Sequence, residues 1–165
     1  MDYYDEIADS YHELYGTEQQ AKYEFISKLV EIKGNVLDVG CGDCQLAKHF
    51  NVKYYGVEPA SKLVTKSKHA DFFDIRNIQL CTAEDMVLNN KFDVVLCITV
   101  AHHFTNPLLV FSKIKKSLKP QGKVVVSILK NSQKRKELHI LLTELFQVET
   151  HNQGKDIVFL CSSKL

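Results

Sequence analysis

Val36-Leu37-Asp38-Val39-Gly40-Cys41-Gly42-Asp43-Cys44-Gln45-Leu46-Ala47 is the stretch from which the rest of the chain can be read. Its first residues have the composition of a buried strand, the glycines that of a tight turn, and the last residues that of a helix opening. A turn of small residues at the carboxyl end of a parallel strand lets backbone approach a ligand closely, with helix N–H groups facing it. Such a turn suits a nucleotide cofactor, and two kinds have to be weighed.

A nicotinamide dinucleotide requires G-x-G-x-x-G, whose last glycine permits close helix–strand packing. Here that position holds Gln45, which is too large. Asp38, two residues before Gly40, would repel a pyrophosphate but can bond the ammonium group of a methionine moiety. The turn therefore points to S-adenosylmethionine ahead of a dinucleotide. Glu58 ends the next strand-like run, and a strand-terminal carboxylate can accept two hydrogen bonds from vicinal ribose hydroxyls. Both cofactors would use such a residue, so Glu58 does not separate them.

Upstream of the turn, Tyr4, Ala8, Tyr11 and Tyr15 recur near helical period over residues 3–15. Thr17-Glu18-Gln19-Gln20 has the capping-box pattern and predicts a helix from Thr17 to about Ile32 that buries Phe25, Ile26, Leu29 and Val30. Downstream, a short helix over 45–50 precedes a strand at 54–58, a helix over 61–70 and a third strand near 78–81. Residues 92–100 form a β-branched apolar run whose one charge is Asp93, suited to a central strand buried on both faces. Asn106-Pro107 opens a helix that should bury Leu108, Phe111, Ile114 and Leu118, with Pro120-Gln121-Gly122 as its stop. A fifth strand covers 124–129. Ser132 is placed to cap a last helix with the stripe Leu138, Leu141, Leu142 and Leu145. Strands near 146–151 and 157–162, joined by Asn152-Gln153-Gly154-Lys155, read as an antiparallel edge hairpin. The pattern is a doubly wound α/β fold: a mostly parallel seven-stranded sheet with a C-terminal antiparallel hairpin and helices on both faces.

The 165 residues suit one domain over 1–165, long enough to bury a substantial core. Lys+Arg 21 against Asp+Glu 20 leaves no global field that would draw nucleic acid. No apolar run approaches the roughly 20 residues that span a membrane, and the acidic start is the opposite of a signal peptide. The five cysteines are an odd count, and Cys81, Cys97 and Cys161 sit in apolar runs, as expected of free thiols in a reducing cytoplasm. Cys41 and Cys44 have C-x-x-C spacing, but no second Cys or His pair stands at ligand spacing, so no metal is assigned.

The glycine turn, Glu58 and the segment Tyr4-Asp5-Glu6-Ile7-Ala8-Asp9-Ser10-Tyr11 together resemble the class I S-adenosylmethionine-dependent methyltransferases. The likeness extends over nearly the whole chain, to type 11 or UbiE-like members and to tRNA-uridine methyltransferases. It implies S-adenosylmethionine as cofactor, held by Asp38, Gly40, Cys41, Gly42, Glu58, Pro59 and Ile98, with residues 1–16 as a lid helix that brings Tyr11 over it. It also implies that Thr82-Ala83-Glu84 is the adenine loop, Thr82 standing where relatives often have Asp. At Cys44 many relatives have glycine, and cysteine fits if its φ is negative. An open sheet holds ligands at the carboxyl ends of its strands, so His102 and His103 should lie beside the reactive methyl. There the pair is either structural, capping a helix or bonding a backbone carbonyl, or supplies in His102 or His103 a group that orients or deprotonates the acceptor.

The link from residue 130 to residue 133 is short, which leaves the acceptor side open to an RNA, to a small molecule, or to a small activator subunit that completes it. Lys113, Lys115, Lys116, Lys119, Lys123, Lys130, Lys134, Arg135 and Lys136 are either a solvated helix face or a phosphate-contacting patch for RNA. A non-catalytic cofactor-binding scaffold and an NAD-dependent oxidoreductase are the rival readings.

Overall fold

The strand that leads into the glycine turn, β1 (Asn35–Val39), lies inside the sheet. In the computed structural model, which describes residues 2–164 and so leaves Met1 and Leu165 outside the described residues, β2 (Lys53–Val57) and β4 (Phe92–Ile98) flank it in parallel. Asp38 pairs with Gly56 on one side and Leu96 on the other. β3 (Ile78–Gln79) lies beyond β2, and β5 (Leu118–Leu129) lies parallel beyond β4. β7 (Asp156–Ser162) and β6 (Gln147–Gln153) then run antiparallel, giving the order β3-β2-β1-β4-β5-β7-β6. This is the seven-stranded, mostly parallel sheet with a terminal hairpin that the hydrophobic pattern predicts.

Successive residues of a strand point to opposite faces. Leu37, Val39, Val95, Cys97, Val124 and Val126 pack with Phe111 and Ile114 of α5 (Pro107–Ser117) and with Leu142 of α6 (Arg135–Leu145). Val36, Tyr54, Val94, Leu96 and Val125 pack on the other face with Tyr23 and Ile26 of α2 (Tyr11–Leu29), Leu46 of α3 (Gln45–His49) and Val64 of α4 (Ser61–Thr65). Burial on both faces explains why these strands are apolar without alternation.

Several local expectations are corrected. The start of the chain is not one helix over 1–16: a short α1 (Asp2–Glu6) and a turn precede α2, which runs unbroken through Thr17. Thr17 caps nothing, and Gln20 bonds Glu24 on the same helix. The helix ends at Leu29, where Val30 turns extended. The helix after Ser61 stops at Thr65, β3 is two residues long, and β4 ends at Ile98. Leu108 is exposed and Val110 takes its place in the core. Pro120 and Gly122 stop no helix, because α5 passes directly into β5 at Leu118. Leu118 pairs with Phe92, and the next pair recorded is Lys123 with Val94, so residues 119–122 bulge from the ladder. That suits Pro120, which has no N–H to pair. α6 begins after Lys134, and Ser132 gives its carbonyl, not its side chain, to Arg135.

Cys44 is the sharpest correction. It precedes α3 with φ +58 and ψ +29, the left-handed region, and not with negative φ. A side chain in that region costs roughly 1–2 kcal/mol, here borne by a fully buried thiol. Cys44→Ala and Cys44→Gly both remove that thiol, but only glycine relieves the backbone. Thermal or urea unfolding should find the glycine variant more stable than the alanine variant by about 1 kcal/mol. Equal stabilities would show that the turn carries no strain at this residue.

Candidate cofactor and acceptor cleft

The turn is clamped from both flanks. The N–H groups of Gly40 and Cys41 both donate to the Val57 carbonyl, at 2.7 and 3.1 Å, which ties the turn to the end of β2. From the β4 side, Val100 presses on Gly40 so closely that a Cβ there would collide with it. Both glycines have positive φ, +74 at Gly40 and +54 at Gly42. A Cβ on Gly42 would lie 3.1 Å from the Tyr11 hydroxyl, so the first turn of α2 sits over the glycine turn.

Two buried carboxylates flank this cradle. Glu58 accepts the Gly42 N–H at 3.0 Å on one oxygen and the Ala60 N–H at 2.8 Å on the other. Burial pushes its carboxyl up, and the two N–H groups oppose that. Asp38 accepts the hydroxyl of Tyr54 at 2.8 Å. Burial raises the Asp38 carboxyl to about 7; the Tyr54 bond works the other way, while Glu58 and Asp43 add to the rise. The Cys41 and Cys44 thiols are both buried and 3.6 Å apart. Among the described residues no group of three His, Cys, Asp or Glu side chains is arranged to hold a metal ion.

A cleft of about 1140 Å³ opens on the turn. Pockets for drug-sized ligands run to roughly 300–1,000 Å³, so there is room for more than one small molecule. The cleft gathers the residues expected on the cofactor and the histidine pair: Tyr11, Asp38, Gly40, Cys41, Gly42, Glu58, Pro59, Thr82, Ala83, Glu84, Ile98, His102 and His103. Two of the side chains are engaged elsewhere. The Thr82 hydroxyl donates to the Asp85 carboxylate at 2.8 Å, and Glu84 accepts the N–H groups of Thr105 and Asn106 at 2.8 and 3.0 Å. Glu84 thereby secures the entry to α5, while the exposed carboxylate of Asp85 joins the cleft lining.

Sequence reasoning missed Asp85 and also Tyr54 and Gln45. An acidic residue following Thr82-Ala83-Glu84 was a visible signal for Asp85. Tyr54 read as a core residue of its strand, and nothing local reveals its bond to Asp38. Gln45 had served only to exclude a dinucleotide turn. It is buried, and its side-chain amide donates to the Gly16 carbonyl at 3.0 Å, tying α2 to the glycine turn.

The His pair lies in the short 3₁₀ turn Ala101–His103 after β4. The rings are 4.0 Å apart at 40°, and His103 Nε2 is 3.4 Å from the Tyr4 hydroxyl. Burial, then the neighbouring His103 and Lys134, push His102 below its ordinary value; burial and then Lys134 do the same to His103. Both shifts disfavour the charged imidazolium, and a neutral imidazole has one ring nitrogen able to accept a proton. His102 Nδ1 is buried with no hydrogen-bond partner among the described residues.

Much of the basic cluster is committed internally. Lys134 donates to the carbonyls of His102 and Phe104, Lys113 to those of Glu84 and Met86, Lys130 to Gly154 and Arg135 to Lys130. Lys119 pairs with Asp93 at 2.7 Å. These contacts favour the structural reading of the cluster over a phosphate-binding patch.

Comparison with known proteins agrees with this geometry. Residues 5–155 match the family model described as a methyltransferase domain. A ubiquinone biosynthesis O-methyltransferase of Bradyrhizobium diazoefficiens is 31% identical over 114 residues, which is 66% of this chain and 45% of the relative. Its counterpart in Rickettsia canadensis is 28% identical over 142 residues, 81% of this chain and 58% of the relative. The chain thus spans about half the length of the curated relatives it matches. Among solved structures, an S-adenosylmethionine-dependent methyltransferase of Thermotoga maritima superposes with TM-score 0.77 at 16% identity, covering 98% of both chains. A complex of the Haloferax volcanii Trm112 methyltransferase activator with a methyltransferase gives 0.77 at 10% identity, covering 97% of both. The chain belongs to the methyltransferase-domain family, in the class I fold whose cofactor is S-adenosylmethionine. Membership sets aside the dinucleotide reading.

The Asp38 carboxyl makes a prediction about the ligand-free chain. It titrates near 7 when folded but near 3.9 (about the model-peptide value) when unfolded. Its contribution to stability is complete below the lower value and is lost as pH rises through the higher one. Asp38→Asn carries no charge and can still accept the Tyr54 hydroxyl. Its melting temperature should gain on wild type between pH 5 and pH 8; a constant difference would show that Asp38 does not titrate in that window.

Proposed function

We propose that this chain transfers the methyl group of S-adenosylmethionine to a hydroxyl group of a small-molecule acceptor. The observation that carries this reading is that one cleft joins the glycine turn and its two buried carboxylates to a histidine pair. When bound, S-adenosylmethionine supplies an electrophilic sulfonium methyl group. The residues present fit it. Asp38 is placed for the ammonium group, and Glu58 has lone pairs left for the ribose hydroxyls. The N–H groups of Ala83 and Glu84 and the Asp85 carboxylate would receive the adenine. Thr82 shapes that loop, and Pro59 and Ile98 supply apolar wall. Tyr11, at the start of α2, would cover the turn as part of a lid formed by residues 1–16.

On the acceptor side, His102 or His103 would orient the acceptor hydroxyl and take up the proton it loses. Alignment and exclusion of water would supply the rest of the acceleration. The curated relatives, named for O-methylation in ubiquinone biosynthesis, support a small acceptor, and so do the internally bonded lysines. An RNA acceptor would draw on such lysines for phosphate contacts. In this reading residues 1–165 act as one catalytic domain in the cytoplasm, where the five free cysteines would stay reduced. No helix among the described residues is long and apolar enough to cross a membrane.

A small partner subunit belongs to the same reading, and the fold shared with the Haloferax methyltransferase that binds an activator supports it. Phe72, Ile75, Leu80 and Val87 are exposed around the edge strand β3. That edge is four strands from β5 in the sheet order, so a partner seated there would stabilise the chain and would not close the acceptor side.

Labelled methyl transfer to a catechol and to bulk tRNA tests the acceptor class. Catechol methylation is expected; transfer to tRNA alone would overturn a small acceptor, and cofactor binding without transfer to either would favour a scaffold. Separately, Glu58→Ala should weaken S-adenosylhomocysteine binding by at least about 1.5 kcal/mol, more than tenfold, the scale of a charged hydrogen bond. Unchanged affinity by calorimetry would remove the ribose assignment.

A further inference from the structure

A second polar assembly lies beside the residues placed on the cofactor. Lys22 of α2 is 5% exposed, and its ammonium group makes one hydrogen bond and two ion-pair contacts. They reach Asp156 Oδ2 at 3.0 Å, Thr99 Oγ1 at 2.9 Å and Glu18 Oε1 at 3.0 Å. Asp156, the first residue of β7, is 1% exposed. Its Oδ2 also receives the Thr99 hydroxyl at 3.3 Å, whereas its Oδ1 is buried with no hydrogen-bond partner among the described residues.

Thr99 leaves β4 with φ +53, a conformation that a β-branched residue rarely adopts. Ser127 of β5 holds it there: the Thr99 N–H lies 3.1 Å from the Ser127 carbonyl and 2.9 Å from its hydroxyl.

A buried ion pair is weak as a source of stability, since apolar residues of similar volume often do as well. Strained backbone, for its part, persists mainly where function uses it. Here the two coincide at the carboxyl ends of β4 and β5, where an open sheet holds its ligands. Three chain segments meet at this point, and each contributes to the cleft. α2 brings Tyr11, Tyr15 and Gln19, the exit of β4 brings Val100 and His102, and the hairpin turn brings Lys155. Lys22 and Thr99 themselves line it.

We propose that Lys22 and Asp156 are positioning residues, a buried ion pair that docks α2 on the carboxyl ends of the strands and holds its first half over the cleft. The docking is a property of the ligand-free chain. Its consequence for a bound cofactor rests on the reading given under the proposed function. The Gln45–Gly16 bond ties the first half of α2 to the glycine turn, and the ion pair, further on at Lys22, ties the helix to the acceptor side.

Lys22→Met alone leaves Asp156 buried and uncompensated, so it lowers stability whatever its role. The paired variant Lys22→Met/Asp156→Asn removes both charges and keeps both side-chain sizes, and it carries the test. In the ligand-free protein, amide hydrogen exchange over residues 11–19 should quicken at least tenfold while exchange in β4 stays at the wild-type rate. In the same variant, S-adenosylhomocysteine should dissociate at least tenfold faster.

Wild-type exchange over 11–19 would overturn the docking role, because apolar packing would then suffice to hold α2. Faster exchange in β4 as well would overturn it too, by showing a contribution to global stability only. Faster exchange with unchanged dissociation would overturn the link to the cleft. Failure of the wild-type chain to bind S-adenosylhomocysteine would instead defeat the cofactor reading, and the exchange comparison would still decide the docking.

Discussion

The hydrogen bond from the Gly42 N–H to the Glu58 carboxylate holds the site together, and it exists only because of the constraints around it. It requires β1 and β2 in parallel with Asp38 beside Gly56, so that the two strands end together. It also requires a turn whose backbone N–H groups point at the neighbouring strand, as the bonds from Gly40 and Cys41 to Val57 ensure. Val100 closes the other side of Gly40, which leaves the turn no freedom to relax. Close packing of backbone against backbone, with glycine where φ is positive, aims the remaining polar groups at the cleft.

The same geometry concentrates negative charge. Asp38 and Glu58 are both buried near the turn, and desolvation raises their carboxyls. A fold selected only for stability would avoid this arrangement, because buried carboxylates are costly unless paired. In the proposed function the missing counter-charge is the ligand's, so the cost is relieved on binding. Perturbed carboxyls in a cleft are a general mark of functional sites, and here the perturbation follows from burial beside a turn that donates few hydrogen bonds to Asp38.

α2 gives the cleft its wall. Tyr23 and Ile26 anchor its second half in the core, Lys22 beside them reaches Asp156 and Thr99, and Gly16 in its first half accepts the Gln45 amide.

The sheet, the glycine turn and the placing of Asp38 and Glu58 beside that turn were legible in the sequence because each is written locally. Apolar runs mark strands buried on both faces, glycines mark positive φ, and a strand-end acid marks a cleft. Local signals failed where a distant partner overrides them. The capping pattern at Thr17 yields to a helix whose neighbours Gln45 and Asp156 favour its continuation, and Cys44 takes a left-handed conformation that its turn imposes. Glu84 and Thr82 are drawn into bonds with α5 and Asp85, which spacing alone could not reveal. By itself the sequence determined which strands form and what the turn can hold, since hydrophobic periodicity and glycine are properties of neighbouring residues. Only the tertiary structure decided which side chains face the cleft free and which are committed elsewhere, because that depends on partners brought together by the order of strands in the sheet.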